Sequence, residues 1–180
     1  MLTPSPGPTV GEYMTTAPMT VAPDLSIRDA RERMMLNNLR HLVVVGGDRI
    51  VGVVSSRDLD LASSIPAAHG TTLMVTDAMT KDPYCCVPMT PLSEVARAME
   101  AKRYGCALVL EGEHAIGIFT TTDALRALRA LISGKPVQPV NPPTHVTEPS
   151  PAQARTEHHA RLSSSLGPGV RPSPNQGRIG

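Results

Sequence analysis

The sequence predicts a mixed α/β (α+β) fold in which a strand–helix–strand–strand–helix unit occurs twice in tandem, with the two copies packed in pseudo-two-fold symmetry. Three observations predict it. Shifting the chain by 65 positions aligns residues 10–58 with 75–123 without a gap, and ten of the 49 pairs are identical. Each copy has one stretch with apolar residues at helical spacing. Each copy also has two short apolar runs around a glycine-containing turn, which indicates a β-hairpin.

The identical pairs are spread over the whole unit. They are Val10/Val75, Met14/Met79, Thr15/Thr80, Pro18/Pro83, Pro23/Pro88, Met34/Met99, Val44/Val109, Gly47/Gly112, Gly52/Gly117 and Asp58/Asp123. An internal repeat at this period indicates duplication of one supersecondary unit. A unit of about 60 residues does not close a large core alone, so we expect the two copies to pack against each other.

The first helix of each copy has a start signal and an apolar face. Ser26 can cap the helix, with Asp29 three residues later at the capping-box position. Thr90 followed by Pro91 is expected to start the matching helix. The apolar faces consist of residues at spacings of three and four: Ile27, Ala30, Met34, Leu92, Val95 and Met99.

The hairpin and a second helix complete each copy. We predict hairpin strands at residues 42–45 and 50–55 and, in the second copy, at 107–110 and 115–120. Second helices are predicted to begin at Asp58 and at Asp123. The apolar runs are rich in β-branched residues, and glycines at 46, 47 and 112 supply the turns.

Proline content divides the chain into ordered and disordered parts. Nine of the 18 prolines lie from residue 136 onward, where apolar periodicity is absent. The predicted organisation is a flexible N-terminus (1–9), a first copy (10–66), a linker (67–74), a second copy (75–133) and a disordered proline-rich tail (134–180).

Composition excludes several classes of function. A net charge of +1 and 2% aromatic residues argue against a nucleic-acid binder. No apolar run approaches the 18 residues of a membrane span, and no secretory signal is visible, so we expect a cytoplasmic protein. There is no phosphate-binding glycine loop, His-Glu-x-x-His or Cys-x-x-Cys, and adjacent strand cysteines point to opposite faces. We therefore expect no enzymatic activity, no metal site and no obligatory cofactor.

Two motifs, each present twice, resemble a known family. One is Val10-Gly-Glu-Tyr-Met14-Thr, matched by Val75-Thr-Asp-Ala-Met79-Thr. The other is a glycine, two hydrophobic residues, Ser or Thr, two variable residues and Asp, found at residues 52–58 and 117–123. Over residues 9–132 the layout resembles a tandem pair of CBS (cystathionine-beta-synthase) domains, a stand-alone Bateman module.

The resemblance implies a regulatory module that binds and senses an adenosine-containing ligand, such as AMP, ADP, ATP or S-adenosylmethionine. It implies that Asp58 and Asp123 hold ribose hydroxyls and that Ser55 and Thr120 contact phosphate. It also implies that residues around Thr20, Val21, Cys85 and Cys86 line the base pocket. A homodimer paired through helices, and output to an unknown effector protein, follow from the same resemblance.

The two copies differ in charge near these motifs. The first copy has Arg40, His41 and Arg57 where the second has Gly105, Cys106 and Thr122. A polyphosphate should therefore prefer the site that gathers the first set.

Other interpretations of the same residues remain open. Asp58 and Asp123 can be plain helix caps, and Ser55 and Thr120 can be strand-end residues. The whole chain can be a ligand-free structural or protein-interaction module that keeps the fold.

Overall fold

A computed structural model describes residues 7–64 and 72–134. The predicted tail (134–180) beyond Gly134 lies outside the described residues, as do most of the predicted flexible N-terminus (1–9) and most of the predicted linker (67–74).

The predicted order of elements is present in both copies, each preceded by a short helical turn. The first copy comprises a 3-10 helix (Val10–Glu12), β1 (Thr15–Thr16), β2 (Thr20–Val21), α1 (Ile27–Leu36), β3 (His41–Gly46), β4 (Arg49–Ser55) and α2 (Ser56–Ser63). The second copy comprises α3 (Val75–Ala78), β5 (Cys85–Cys86), α4 (Leu92–Lys102), β6 (Cys106–Glu111), β7 (His114–Thr120) and α5 (Thr121–Ser133). The mixed α/β fold class is thus confirmed.

The strands form two sheets of similar design. One sheet has the order β2-β3-β4 and the other the order β1-β7-β6-β5. Strand β2 runs parallel to β3, and β5 runs parallel to β6. The hairpin strands β3 and β4 are antiparallel, as are β6 and β7. The helices pack their predicted apolar faces on these sheets, with Ala30 and Met34 buried in α1 and Val95 and Met99 buried in α4.

The leading segment of each copy (residues 10–16 and 75–81) packs into the other copy. Val10 is fully buried in the core of the second copy, and Val75 is fully buried in the core of the first. The Val10 N–H donates to the Thr90 carbonyl at 2.9 Å, and the Val75 N–H donates to the Leu25 carbonyl at 2.8 Å. Each core is therefore completed by a residue from the other copy.

The exchange continues in the sheets. Strand β1 of the first copy pairs with β7 of the second. At the matching position Thr80 forms an antiparallel bridge with Val53, with two backbone hydrogen bonds of 2.8 and 3.0 Å. A shared apolar cluster also joins the hairpins of the two copies: Val43, Val53, Cys106, Leu108 and Ile118. These contacts make the two copies one structural unit.

The first helix of the first copy starts as the sequence predicted, and the first helix of the second copy does not. Ser26 caps α1 by accepting the Asp29 N–H at 3.1 Å, as predicted. The prediction for Thr90 was wrong: α4 begins after Pro91, which makes no side-chain cap. The Thr90 hydroxyl instead accepts the Val87 N–H at 3.1 Å. It is used to close the preceding turn and is not available to the helix.

Helices α2 and α5 begin two residues earlier than the sequence predicted. Ser55 and Thr120 are the N-caps, and the two aspartates occupy the third helical position. A Ser or Thr followed three residues later by an acid forms a capping box, in which each side chain accepts the other residue's N–H. The helix start signal in the motif is therefore the Ser or Thr, three residues before the acid.

No helix in the described ranges 7–64 and 72–134 is long and apolar enough to cross a membrane.

The motif glycines allow the other copy's leading segment to approach. A Cβ on Gly52 would lie 2.6 Å from the Thr80 carbonyl oxygen, whereas the three atoms nearest to a Cβ on Gly117 would all belong to the Met14 side chain. We expect Gly52→Ala to lower the free energy of unfolding by about 1–3 kcal/mol, because backbone must move. Gly117→Ala is the matched control, and its effect should be smaller because a thioether side chain can rotate.

Urea denaturation of both variants measures this difference. An equal or larger loss of stability in Gly117→Ala would contradict the close-approach explanation for Gly52.

Candidate functional site

An open cleft of about 1460 Å³ lies between the two copies. Both copies contribute to its lining at matching places: the start of the first hairpin strand and the junction of the second hairpin strand with the helix that follows. Ligand sites of proteins occupy roughly 300–1,000 Å³, so this cleft has room for a molecule of nucleotide size.

Seven of the predicted site residues meet in this cleft. They are His41, Ser55, Arg57, Asp58, Thr120, Thr122 and Asp123. Although the motif aspartates are 65 positions apart in sequence, the pseudo-symmetric packing places both at one opening.

The predicted base-pocket residues are not brought to this cleft. Thr20 and Val21 form β2, and Cys85 and Cys86 form β5. The Val21 side chain is buried in the core of the first copy, and Cys86 packs against the core of the second. These four residues are not part of the cleft lining, and their assignment to a base pocket stays a prediction.

The junction β4–α2 holds its polar side chains through a capping box. Asp58 Oδ2 accepts the Ser55 N–H at 2.8 Å and the Ser55 hydroxyl at 2.6 Å, while the Ser55 hydroxyl oxygen accepts the Asp58 N–H at 3.2 Å. The junction β7–α5 repeats this arrangement with Thr120 and Asp123. The helix-capping interpretation of the two acids is therefore confirmed as one of their roles.

Cationic side chains outnumber anionic ones in the cleft. Five arginines and three aspartates line it: Arg40, Arg57, Arg103, Arg126, Arg129, Asp58, Asp82 and Asp123. The lining thus has a net charge of +2, and the N-terminal turns of α2 and α5 add partial positive charge. This electrostatic environment favours an anionic ligand.

Two side chains of the first copy reach across to the second. Arg40 Nη2 donates to the Thr122 hydroxyl at 2.8 Å. His41 lies over Gly105, where a Cβ would come within 2.9 Å of its Nε2 atom. Gly105 is the residue that matches Arg40, and its missing side chain leaves space for the His41 ring.

Burial controls the titration of His41 and of two thiols. The pKa of His41 is lowered by burial and by neighbouring Arg40, and nearby Asp58 offsets part of this effect. Burial raises the pKa of Cys106 to about 12 and that of Cys86 to about 11. These thiols stay protonated at neutral pH, which makes them poor nucleophiles.

A stacked aromatic pair in the cleft was missed from the sequence. The rings of Tyr84 and Tyr104 lie 5.8 Å apart at an interplanar angle of 15°, and both residues line the cleft. They occupy positions that match Met19 and Leu39 of the first copy. A comparison of the copies for apolar-to-aromatic exchanges would have singled them out.

The described residues contain no group of three or more His, Cys, Asp or Glu side chains suited to holding a metal ion.

The family model of the CBS domain matches residues 10–64 and 75–130, well over half of the chain. The chain belongs to the CBS-domain family. As a CBS pair, it is similar in structure to a protein named for acetoin utilization (AcuB) from Vibrio cholerae, with a TM-score of 0.61 and 27% identity over 71% of this chain and 94% of that one.

Two further similarities are informative. The crystal structure of CBSX2 in complex with AMP has a TM-score of 0.61 and 29% identity, and the match covers 70% of this chain and 99% of that one. CBSX2 is a CBS-pair protein from Arabidopsis thaliana. The inosine-5'-monophosphate dehydrogenase of Korarchaeum cryptofilum is 32% identical over 106 residues, which is 58% of this chain. The chain spans about a fifth of that enzyme's length.

His41 should make the stability of the CBS pair depend on pH. Because its pKa is lowered in the folded state, the unfolded chain binds the proton more readily. Stability should therefore fall as pH drops below about 6.5, with a slope of at most about 1.4 kcal/mol per pH unit from this residue. We expect His41→Gln to flatten this decline in urea unfolding measured between pH 7.5 and 5.5.

The variant His114→Gln, on an exposed position of β7, controls for the loss of an imidazole. The explanation is wrong if His41→Gln keeps the wild-type pH dependence.

Proposed function

We propose that this CBS pair binds an adenosine nucleotide in its cleft and acts as a regulatory sensor of that ligand on a partner protein. The observation that carries the proposal is the position of Asp58, an acid with an unoccupied carboxylate oxygen at a helix start inside a cationic cleft. The relation to CBSX2, which was crystallised with AMP, supports adenosine as the ligand class.

Asp58 is suited to hold ribose. Its Oδ2 atom accepts both capping hydrogen bonds, and its Oδ1 atom has no hydrogen-bond or ion-pair partner among the described residues. A carboxylate oxygen can accept two hydrogen bonds, which matches two neighbouring ribose hydroxyls. Hydrogen bonds to an ionised acceptor are stronger than neutral ones.

The surroundings of Asp58 are suited to hold phosphate. The N-terminal turn of α2 adds partial positive charge, and Arg57 is exposed beside it. Arg40 and His41 lie at the same opening. Helix N-termini and arginine side chains are the usual anion-binding groups of proteins, so a nucleotide with its sugar on Asp58 would find phosphate contacts nearby.

The stacked tyrosines provide a surface for a purine. Tyr104 is 40% exposed and Tyr84 is half-buried, so the pair is accessible from the cleft. Flat aromatic surfaces favour stacking of a nucleobase. We assign adenine to this part of the cleft in place of β2 and β5.

Regulation follows from the location of the cleft between the copies. A ligand that contacts both copies favours one relative placement of them, and that shift in population is the signal. The bond between Arg40 and Thr122 already links the two copies at the rim. The partner would recognise the changed surface. No catalytic step is part of this proposal, since the thiols near the cleft are protonated and no activated nucleophile is visible among the described residues.

We expect Asp58→Asn to weaken binding of AMP and of adenosine by roughly 10- to 100-fold, because both ligands lose a charged acceptor. The amide oxygen can still accept the capping bonds from Ser55, so the fold should persist. Arg57→Ala should weaken binding of AMP but leave adenosine binding unchanged, because only AMP has a phosphate. Isothermal titration calorimetry with both ligands measures the four effects.

The matched control is Asp60→Asn. Asp60 lies on the same helix and is exposed, and its Oδ1 atom is 2.8 Å from Arg31 Nη2. Neither residue of this pair lines the cleft. It should bind both ligands like the wild type. If folded wild-type protein binds none of AMP, ADP, ATP, adenosine or S-adenosylmethionine, the alternative of a ligand-free interaction module replaces this proposal.

We also propose that two copies of the chain pair through α5. This helix buries Asp123, Ala127 and Ala130 and leaves its large apolar side chains exposed: Leu125, Leu128, Leu131 and Ile132 are 64%, 54%, 51% and 78% exposed. A stable dimer should bury roughly 1,000 Å² or more. Sedimentation equilibrium should show a dimer for the wild type and a monomer for Ile132→Glu. A wild type that stays monomeric at high concentration would exclude this pairing.

A further inference from the structure

The two motif aspartates are not equally available to a ligand. Asp123 Oδ2 accepts the Thr120 N–H at 2.7 Å and the Thr120 hydroxyl at 2.6 Å. Its Oδ1 atom accepts the Thr15 hydroxyl at 3.0 Å and is in contact with the Arg126 guanidinium. A carboxylate offers about four acceptor positions, two on each oxygen. All four on Asp123 are used within the chain.

The corresponding positions of the first copy leave Asp58 open. Thr80 matches Thr15 and Leu61 matches Arg126 in the 65-residue shift. Within the described ranges neither Thr80 nor Leu61 contributes a hydrogen bond to Asp58, and the leucine side chain cannot donate one. Asp58 therefore keeps both acceptor positions on Oδ1, the number that two ribose hydroxyls require.

Burial reinforces the difference. Asp123 is only 2% exposed, whereas Asp58 is partly exposed. In the ion pair of Asp123 and Arg126 the side chains are 3% and 17% exposed. A ligand that took Oδ1 of Asp123 would have to displace a partly buried guanidinium from a buried carboxylate, and separating such a pair leaves a charge without its partner. Arg126 therefore occupies the place of a ligand at the second aspartate.

We propose that Arg126 closes the second half of the cleft to ribose, so that each chain binds one adenosine nucleotide, at Asp58. This inference depends on the proposed nucleotide-binding function. Arg126 would be a specificity-determining residue, acting by occupying an acceptor that the family motif otherwise leaves free. The chain would then respond to its ligand at a single site, although its two motifs are alike in sequence.

An exchange of residues between the copies tests this proposal. In calorimetric titrations of the full chain with AMP, the wild type should bind one AMP per chain. Arg126→Leu, which installs the residue found at Leu61, should bind two, because the neutral Thr15 hydroxyl, unlike the guanidinium, can rotate away and release the remaining acceptor position on Oδ1 of Asp123. Arg28→Leu on α1 makes the same chemical change at an exposed position outside the cleft lining and should still bind one. Circular dichroism melting confirms that each variant is folded.

The reciprocal variant keeps the test decisive if Arg126→Leu does not fold. Leu61 is 67% exposed and is three residues after Asp58, the same spacing as Arg126 after Asp123. We expect Leu61→Arg to lower AMP affinity at least tenfold, because the new guanidinium occupies Oδ1 of Asp58. In a protein that also carries Arg126→Leu, one AMP should bind again, now at Asp123.

The possible results separate the two proposals. Two AMP bound by the wild type, or one AMP bound by folded Arg126→Leu, would overturn the role of Arg126 and leave the nucleotide function intact. Unchanged AMP affinity in Leu61→Arg would also overturn it. Absence of AMP binding in the wild type and in Arg126→Leu would overturn the proposed function, and the inference with it.

Discussion

The burial of each copy's first residue in the core of the other copy is the constraint on which the rest of the structure depends. Val10 and Val75 have no exposed surface, and backbone hydrogen bonds at both ends of each leading segment hold them in place. Full burial of a valine contributes roughly 1.5–3 kcal/mol, and each residue contributes it only when the other copy is folded. The copies are therefore expected to be stable as a pair, and the cleft between them is a consequence of that pairing.

The same exchange explains the residues of the glycine-to-aspartate motif at 52–58 and 117–123. The glycine leaves space for the other copy's leading segment, which crosses the hairpin at Thr80 or at Met14. The Ser or Thr ends the strand and caps the helix, and the Asp completes the capping box. One short sequence thus sets the approach of the other copy, the end of a strand and the start of a helix. This places a carboxylate and the N-terminal turn of a helix at the edge of the cleft.

Local patterns were enough to predict most elements, and the errors have local causes. The hairpins were predicted to within a residue or so because β-branched runs and positive-φ glycines at 47 and 112 mark them clearly. The cap at Thr90 was wrong because a hydroxyl can serve either a turn or a helix, and sequence does not say which. The place of a base pocket stays a prediction, because a two-residue strand has no periodicity from which the direction of its side chains can be inferred. The stacked tyrosines escaped notice because each takes an ordinary apolar position of the repeat.

The sequence alone determined the duplication, the mixed α/β class, the order of elements and the motif acids, because spacing and repetition report directly on local structure. The tertiary structure alone decided which acid is free. Thr15 and Asp123 are 108 residues apart, yet they share a hydrogen bond because the leading segments exchange. Arg126 lies within one helical turn of Asp123, but whether an arginine there turns toward the acid or toward solvent depends on the side chains packed around it. Two motifs that are equivalent in sequence therefore differ in chemistry, since the packing of the copies controls the acceptors that each one presents.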